Sequence, residues 1–233
     1  MPLSRRPVLF AVVMALLLTP FAADASALKL QKGDRIVFLG DSITQAGNDR
    51  ATGYVALVRK ALQEKFGKEV EVIGAGISGN KVPDLQKRLG RDVLSRKPTL
   101  VVIYIGINDV WHGEKDASKG TSPAKFQAGL EDVIGRITDT GARVLLCTPS
   151  VIGEKTDGSN TNDPRLEEYS AISRTVARQL KVPVCDLRKA FLQRLKKDNI
   201  EDKTKGVLTT DGVHLNDAGN TFVAKLILES LGE

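Results

Sequence analysis

Histidine and cysteine are scarce in this chain of 233 residues, with two of each. Two cysteines cannot staple a fold together, so a hydrophobic core has to hold it. Neither histidine stands in an H-E-x-x-H spacing, which leaves little for a metal-dependent hydrolase to build on. Glycine and proline, at 21 and 9, are far too few for a collagen-like chain. The 42% hydrophobic content excludes a disordered one. A polybasic block is missing as well. The net charge of +6 is dispersed, with only pairs such as Lys196-Lys197, so no nucleic-acid partner is expected.

The apolar run Val8 to Leu18 is too short to span a bilayer comfortably. Arg5 and Arg6 precede it, and the small residues Ala25-Ser26-Ala27 end it. A charged start, a short apolar stretch and an A-x-A end read as an export signal over residues 1–27, cut after Ala27. An uncleaved anchor is the competing reading. No cysteine follows the cut, so lipid attachment is not suggested. The expected product is secreted or periplasmic and comprises residues 28–233 as one domain.

Across that stretch, β-type and helical patterns alternate. Strands are expected at Arg35–Leu39, Val70–Ile73, Leu100–Ile105, Arg143–Cys147 and Val182–Cys185. Helical spacing links Tyr54 to Leu62, Val82 to Val93, Phe126 to Ile137, Leu166 to Leu180, and about Asn216 to Leu231. Five strands separated by helices predict an α/β fold with a parallel sheet covered on both faces. Cys147 and Cys185 lie in two of the strands and read as buried thiols, with a disulfide, which export would permit, as the competing reading. Two long polar loops, 150–163 and 199–210, remain.

The residues suited to chemistry collect after the strands, where open α/β sheets bind ligands. Gly40-Asp41-Ser42-Ile43-Thr44 follows the first strand, and Gly74-Ala75-Gly76-Ile77-Ser78-Gly79-Asn80 the second. Gly106-Ile107-Asn108-Asp109 follows the third, and Asp211-Gly212-Val213-His214 precedes the last helix. A serine needs a base to take its proton, and histidine is the usual one near neutral pH. Only His214 has an acid, Asp211, three residues before it. Ser42, His214 and Asp211 are therefore a candidate triad. An isolated serine here is as well explained as a helix cap, and an isolated histidine as a packed or surface residue. The backbone N–H groups of Ser42 and Gly79 and the Asn108 amide are candidate donors to an oxyanion. Trp111 and His112, just beyond Asn108, are candidates for substrate contact. Asp41 and Asp109 read as loop anchors.

These four blocks, in this order, resemble the GDSL or SGNH hydrolase superfamily. The resemblance implies a flavodoxin-like three-layer α/β/α sandwich with a five-stranded parallel sheet. It also implies a serine ester hydrolase that needs no cofactor or metal. By the same likeness Ser42 is the nucleophile, Gly79 and Asn108 are oxyanion donors, His214 is the base and Asp211 orients it. The motif wording looks similar to a branch of small-ester and carbohydrate esterases that includes isoamyl acetate-hydrolysing esterase. A short acyl group, acetyl above all, on a small or carbohydrate alcohol is the expected substrate.

Rival readings exist. A lysophospholipase or thioesterase-like lipolytic enzyme and an O-acyltransferase keep the same nucleophile. A catalytically dead carbohydrate binder would not need an intact triad. A metal hydrolase would use Asp41, Asp109, Asp211 and His214. Gly74, Gly76 and Gly79 literally match G-x-G-x-x-G, a nucleotide-binding fingerprint. That fingerprint belongs after the first strand of its unit, with an acidic residue about 20 positions on; here it follows the second strand.

Overall fold

The computed structural model describes residues 28–114 and 116–233. The export signal read over residues 1–27 lies outside them. The elements run β1 (Arg35–Gly40), α1 (Ser42–Asp49), α2 (Tyr54–Phe66), β2 (Glu71–Gly76) and α3 (Val82–Asp92). They continue with β3 (Leu100–Tyr104), α4 (Ile107–Trp111), α5 (Pro123–Thr138), β4 (Arg143–Cys147) and α6 (Asp163–Leu180). The chain ends with β5 (Val184–Cys185), α7 (Leu187–Asp198) and α8 (Asp217–Ser230).

All strand pairs are parallel, and the sheet order is β2-β1-β3-β4-β5. This is the doubly wound, flavodoxin-like order, whose switch point lies between β1 and β3. Helix α2 packs against α1 and α8, and α5 packs against α3 and α6 as a second group. The sheet between them is dry: all five residues of β3 are buried, as a strand covered on both faces requires. Tyr54 sits edge-on to Phe38 and Tyr104, with ring centroids 5.9 and 6.1 Å away. Its hydroxyl and that of Thr44 share a 2.8 Å hydrogen bond, so the one polar atom of this buried ring is satisfied. Cys147 and Cys185 are free, buried and in register on β4 and β5.

The strands expected from the sequence are all present, β4 with the expected bounds and the others with shifted ends. β2 runs on through Gly74-Ala75-Gly76, which the turn-forming reputation of glycine assigned to a loop. β5 shrinks to two residues. Three helices differ from expectation. α1 buries only Ile43, Thr44 and Gly47, so no apolar period announces it. α4 has five residues, too short for a period to repeat. α7 does bury Leu187, Phe191 and Leu195 at helical spacing, and Phe191 packs on Phe222 of α8 at 5.5 Å. That stripe lies among basic residues, in a segment for which the sequence analysis assigned no element.

Close packing of α1 on β2 places the first catalytic loop. A Cβ on Gly76 would stand 2.2 Å from the Gln45 amide nitrogen and 2.8 Å from the Asp41 carbonyl oxygen. Both are backbone atoms that no rotamer change can move. This also removes the nucleotide-binding reading. Gly74 and Gly76 lie inside the strand against α1, whereas a phosphate-binding fingerprint needs them in the turn beyond it. Gly76→Ala should lower stability by roughly 1–3 kcal/mol through overpacking. Gly90→Ala, on an exposed helical position with open space around it, should raise it by about 0.8–1 kcal/mol. Urea unfolding midpoints check both, and similar shifts for the two would contradict this packing.

Candidate active site

Asp41 caps α1: its Oδ1 accepts the Ile43 N–H at 2.9 Å. The cap is therefore Asp41 and not Ser42, which becomes the first helical residue and is left free to turn its hydroxyl outward. Ser42 Oγ lies 2.9 Å from His214 Nε2. His214 Nδ1 lies 2.7 Å from Asp211 Oδ2. A carboxylate only accepts hydrogen bonds, so the ring proton sits on Nδ1 and Nε2 faces Ser42 as an acceptor. The other Asp211 oxygen accepts the backbone N–H groups of Val213 and His214 at 2.9 and 2.8 Å. Partial burial pushes the Asp211 carboxyl up, but the His214 ring and these backbone donors outweigh it and hold it below the usual range.

The proposed oxyanion donors converge on the same edge. Among the described residues, the Ser42 and Gly79 N–H groups have no protein acceptor. Gly79 takes a φ of +75°, which a side chain would disfavour. The Asn108 side chain is buried, and its Nδ2 donates to the Asn80 carbonyl at 3.1 Å. An amide nitrogen carries two hydrogens, so one remains.

A hollow of about 390 Å³ opens here, bordered by Ser42, Gln45, Ala46, Asp49, Arg50, Ser78 and His214. It is solvent-facing: the His214 and Asp211 side chains are 35% and 47% exposed. Trp111 and His112 do not border it. They line a separate hollow with Lys81, Glu114, Asp116 and Lys119, because α4 carries them one turn past Asn108.

Three anchors were not read from the sequence. Arg88, buried on α3, reaches the Asn80 side chain at 2.6 Å and the Gly40 carbonyl at 2.8 Å. It ties the nucleophile loop to the loop of Gly79. Gln45 Oε1 accepts the Ser78 N–H at 2.8 Å. Glu154, fully buried in the 150–163 loop, accepts the N–H groups of Val207, Leu208 and Thr209 at 2.7, 2.7 and 2.6 Å. It also accepts the Thr209 hydroxyl at 2.8 Å, and that hydroxyl in turn accepts the Gly212 N–H at 3.0 Å. One carboxylate thus holds the segment leading into Asp211 and His214. A polar residue in a long loop was the only signal in the sequence.

Asp41 and Asp109 are both buried beneath the site. Asp109 accepts the Val82 N–H at 3.1 Å and so caps α3. Burial first, with the neighbouring charge of Asp109, pushes Asp41 up to about 7 despite the Ile43 N–H. Burial pushes Asp109 up to about 6. Among the described residues, no group of three metal-ligating side chains occurs.

A histidine-activated serine at the switch point of this sheet, with amide donors beside it, is the working arrangement of a serine carboxylic ester hydrolase. Comparison agrees: residues 38–222 match the model of the GDSL-like lipase/acylhydrolase family, and the chain belongs to that family. It is 30% identical over 223 residues to an acetylxylan esterase of Geobacillus stearothermophilus, covering 88% of this chain and 97% of that relative. Esterase TesA of Pseudomonas aeruginosa is 30% identical over 201 residues, covering 86% and 89%. Among solved structures, the acetyl xylan esterase AlAXEase aligns with a TM-score of 0.81 and 45% identity, over 84% of this chain and 98% of that one.

Two predictions follow from the anchors. Glu154→Gln turns an acceptor for the loop into a donor facing donors. It should cost about 1–3 kcal/mol of stability. Well below its melting temperature it should also lower kcat about 10- to 100-fold, with KM little changed, because a displaced base slows proton transfer. Wild-type kcat in the folded variant would show that Glu154 does not position His214. The second concerns pH. Asp41 keeps its proton to about 7 in the fold but ionises near 3.9 in an unfolded chain. Its protonated form therefore favours folding at acid pH, and that stability is lost as pH rises through about 7. Asp41→Asn keeps the Ile43 acceptor and should lose less stability than wild type between pH 5 and 7, as urea midpoints will show.

Proposed function

We propose that the chain is an exported esterase that removes short acyl groups, acetyl first, from small or carbohydrate alcohols through an acyl-enzyme on Ser42. The hydrogen-bonded chain from Ser42 through His214 to Asp211 carries this reading. The acetylxylan esterases among its relatives support the acetyl and carbohydrate parts. The small, open hollow of about 390 Å³ supports a short acyl group over a lipid chain. The exposure of His214 supports water as acceptor over a second alcohol.

In this mechanism His214 Nε2 takes the Ser42 proton as Oγ attacks the ester carbonyl carbon. The carbonyl oxygen becomes an oxyanion, received by the Ser42 and Gly79 N–H groups and the free Asn108 amide hydrogen. Asp211 stabilises the imidazolium. His214 then gives the proton to the alkoxide, and the alcohol leaves. Water attacks the acyl-Ser42 ester, His214 takes its proton and returns it to Ser42, and the carboxylic acid departs. The export signal of residues 1–27 delivers residues 28–233 as the catalytic domain.

Acetate should be the preferred member of a p-nitrophenyl ester series of rising chain length. Acetylated polysaccharide should release acetate, and the exported chain should begin at Leu28. Ser42→Ala should lower kcat by about 10⁴-fold or more, and Asn108→Ala by about 10²- to 10³-fold with less effect on KM. Peak activity on long-chain esters, or turnover that survives Ser42→Ala, would defeat the proposal.

A further inference from the structure

Trp111 is the chain's single tryptophan, yet it is 37% exposed. It stands three residues beyond Asn108 on α4, about one helical turn or 5 Å along the axis. With Lys81, His112, Glu114, Asp116 and Lys119 it lines a hollow of about 530 Å³. The hollow is held open by specific contacts. Gly113 and Gly120 meet so closely that a Cβ on Gly120 would stand 2.9 Å from the Gly113 Cα. Arg165 donates to the Gly113 carbonyl at 3.0 Å, and Lys81 Nζ donates to the Lys119 carbonyl at 2.6 Å. Asp116 accepts the Ser118 N–H at 3.0 Å and its hydroxyl at 2.7 Å.

The chemistry of these walls selects a ligand class. Among the described residues two lysines and two carboxylates line the hollow, and Lys119 approaches Asp116 at 3.9 Å. These charges give little reason to attract a strong anion or cation. The exposed lining of the hollow is mostly apolar despite the charged side chains around it, so an occupant with one apolar face is favoured. Burial first, then the charge of Lys81, holds the His112 ring below its ordinary range. At neutral pH it is uncharged and offers one donor and one acceptor. An exposed indole face beside mixed donors and acceptors suits a neutral, hydroxyl-rich ring that is apolar on one side and polar at its rim.

We propose that this hollow is a glycan subsite, in which a sugar neighbouring the acylated residue stacks on Trp111 and hydrogen-bonds His112. The proposal rests on the esterase reading and extends it to the alcohol side of the substrate. Chain geometry connects the two hollows. Ser78 borders the catalytic one and Lys81 this one. Between them Asn80 offers its carbonyl to Asn108. A linear glycan lying across this ridge presents one residue's ester to Ser42 while the next residue rests on Trp111.

The single tryptophan supplies a readout independent of turnover. The full-length Ser42→Ala protein is titrated with unacetylated xylo-oligosaccharides of increasing length while tryptophan fluorescence is followed. Saturable change that tightens with length is expected, with none from acetate or octanoate. In the active enzyme, Trp111→Ala should lower the ratio of kcat/KM on acetylated xylo-oligosaccharides to that on p-nitrophenyl acetate about tenfold, mainly through KM. Trp111→Phe should recover part of that loss. Absence of any fluorescence response to the sugars, a response to octanoate instead, or an unchanged ratio would overturn the subsite. Turnover of p-nitrophenyl acetate by the wild type tests the catalytic reading separately, so failure of one is seen apart from failure of the other.

Discussion

A 2.9 Å hydrogen bond joins two side chains, Ser42 and His214, that stand 172 residues apart in the chain. Everything else around the site serves that distance. Ser42 opens α1 just beyond β1 and His214 lies in the loop before α8, on backbone that the sheet does not itself restrain. Each loop is instead tied by a side chain from another loop or helix. Asp41 caps its own helix, Arg88 spans from Gly40 to Asn80, and Glu154 gathers residues 207 to 209. The core positions the strand ends, and these polar anchors tie the loops that follow them.

Anchoring by buried charge is costly, since each ionised group leaves water. The costs are met in different ways. Glu154 receives four hydrogen bonds from the segment it holds. Arg88 has carbonyl, amide and carboxylate partners. Asp41 and Asp109 instead respond by holding protons to higher pH than an exposed carboxyl would. Asp211 stands apart: partly exposed and surrounded by donors, it stays charged. Asp211 and the buried acids beneath it are the same residue type, separated in behaviour by solvent, hydrogen bonding and neighbouring charge.

The strands were legible as short apolar runs, and the long helices because their burial is periodic. Leu100 to Ile105 reads as a strand covered on both faces, and Leu100–Tyr104 is one. Phe126, Leu130, Val133 and Ile137 read as one helical face, and all are buried on α5. α1 was not legible. It meets the sheet through glycine backbone, and glycine carries no hydrophobic signal. β2 continued through two glycines for the same reason. Close approach needs an absent side chain, which in sequence looks like a turn.

The sequence alone determined the kinds of chemistry available and their order along the chain. One serine follows the first strand, one histidine has an acid three residues before it, and an asparagine follows the third strand. Those residue types and spacings carried the family resemblance, because a nucleophile, its base and its donors are chemically distinctive. Only the tertiary structure decided distances and company. It separated Trp111 and His112 from the Ser42 hollow, since a helical turn carries them along the α4 axis past Asn108. It also brought Glu154 to the Asp211–His214 loop. A buried carboxylate bonded to backbone N–H groups leaves no pattern in a sequence, since every residue but proline supplies the donor.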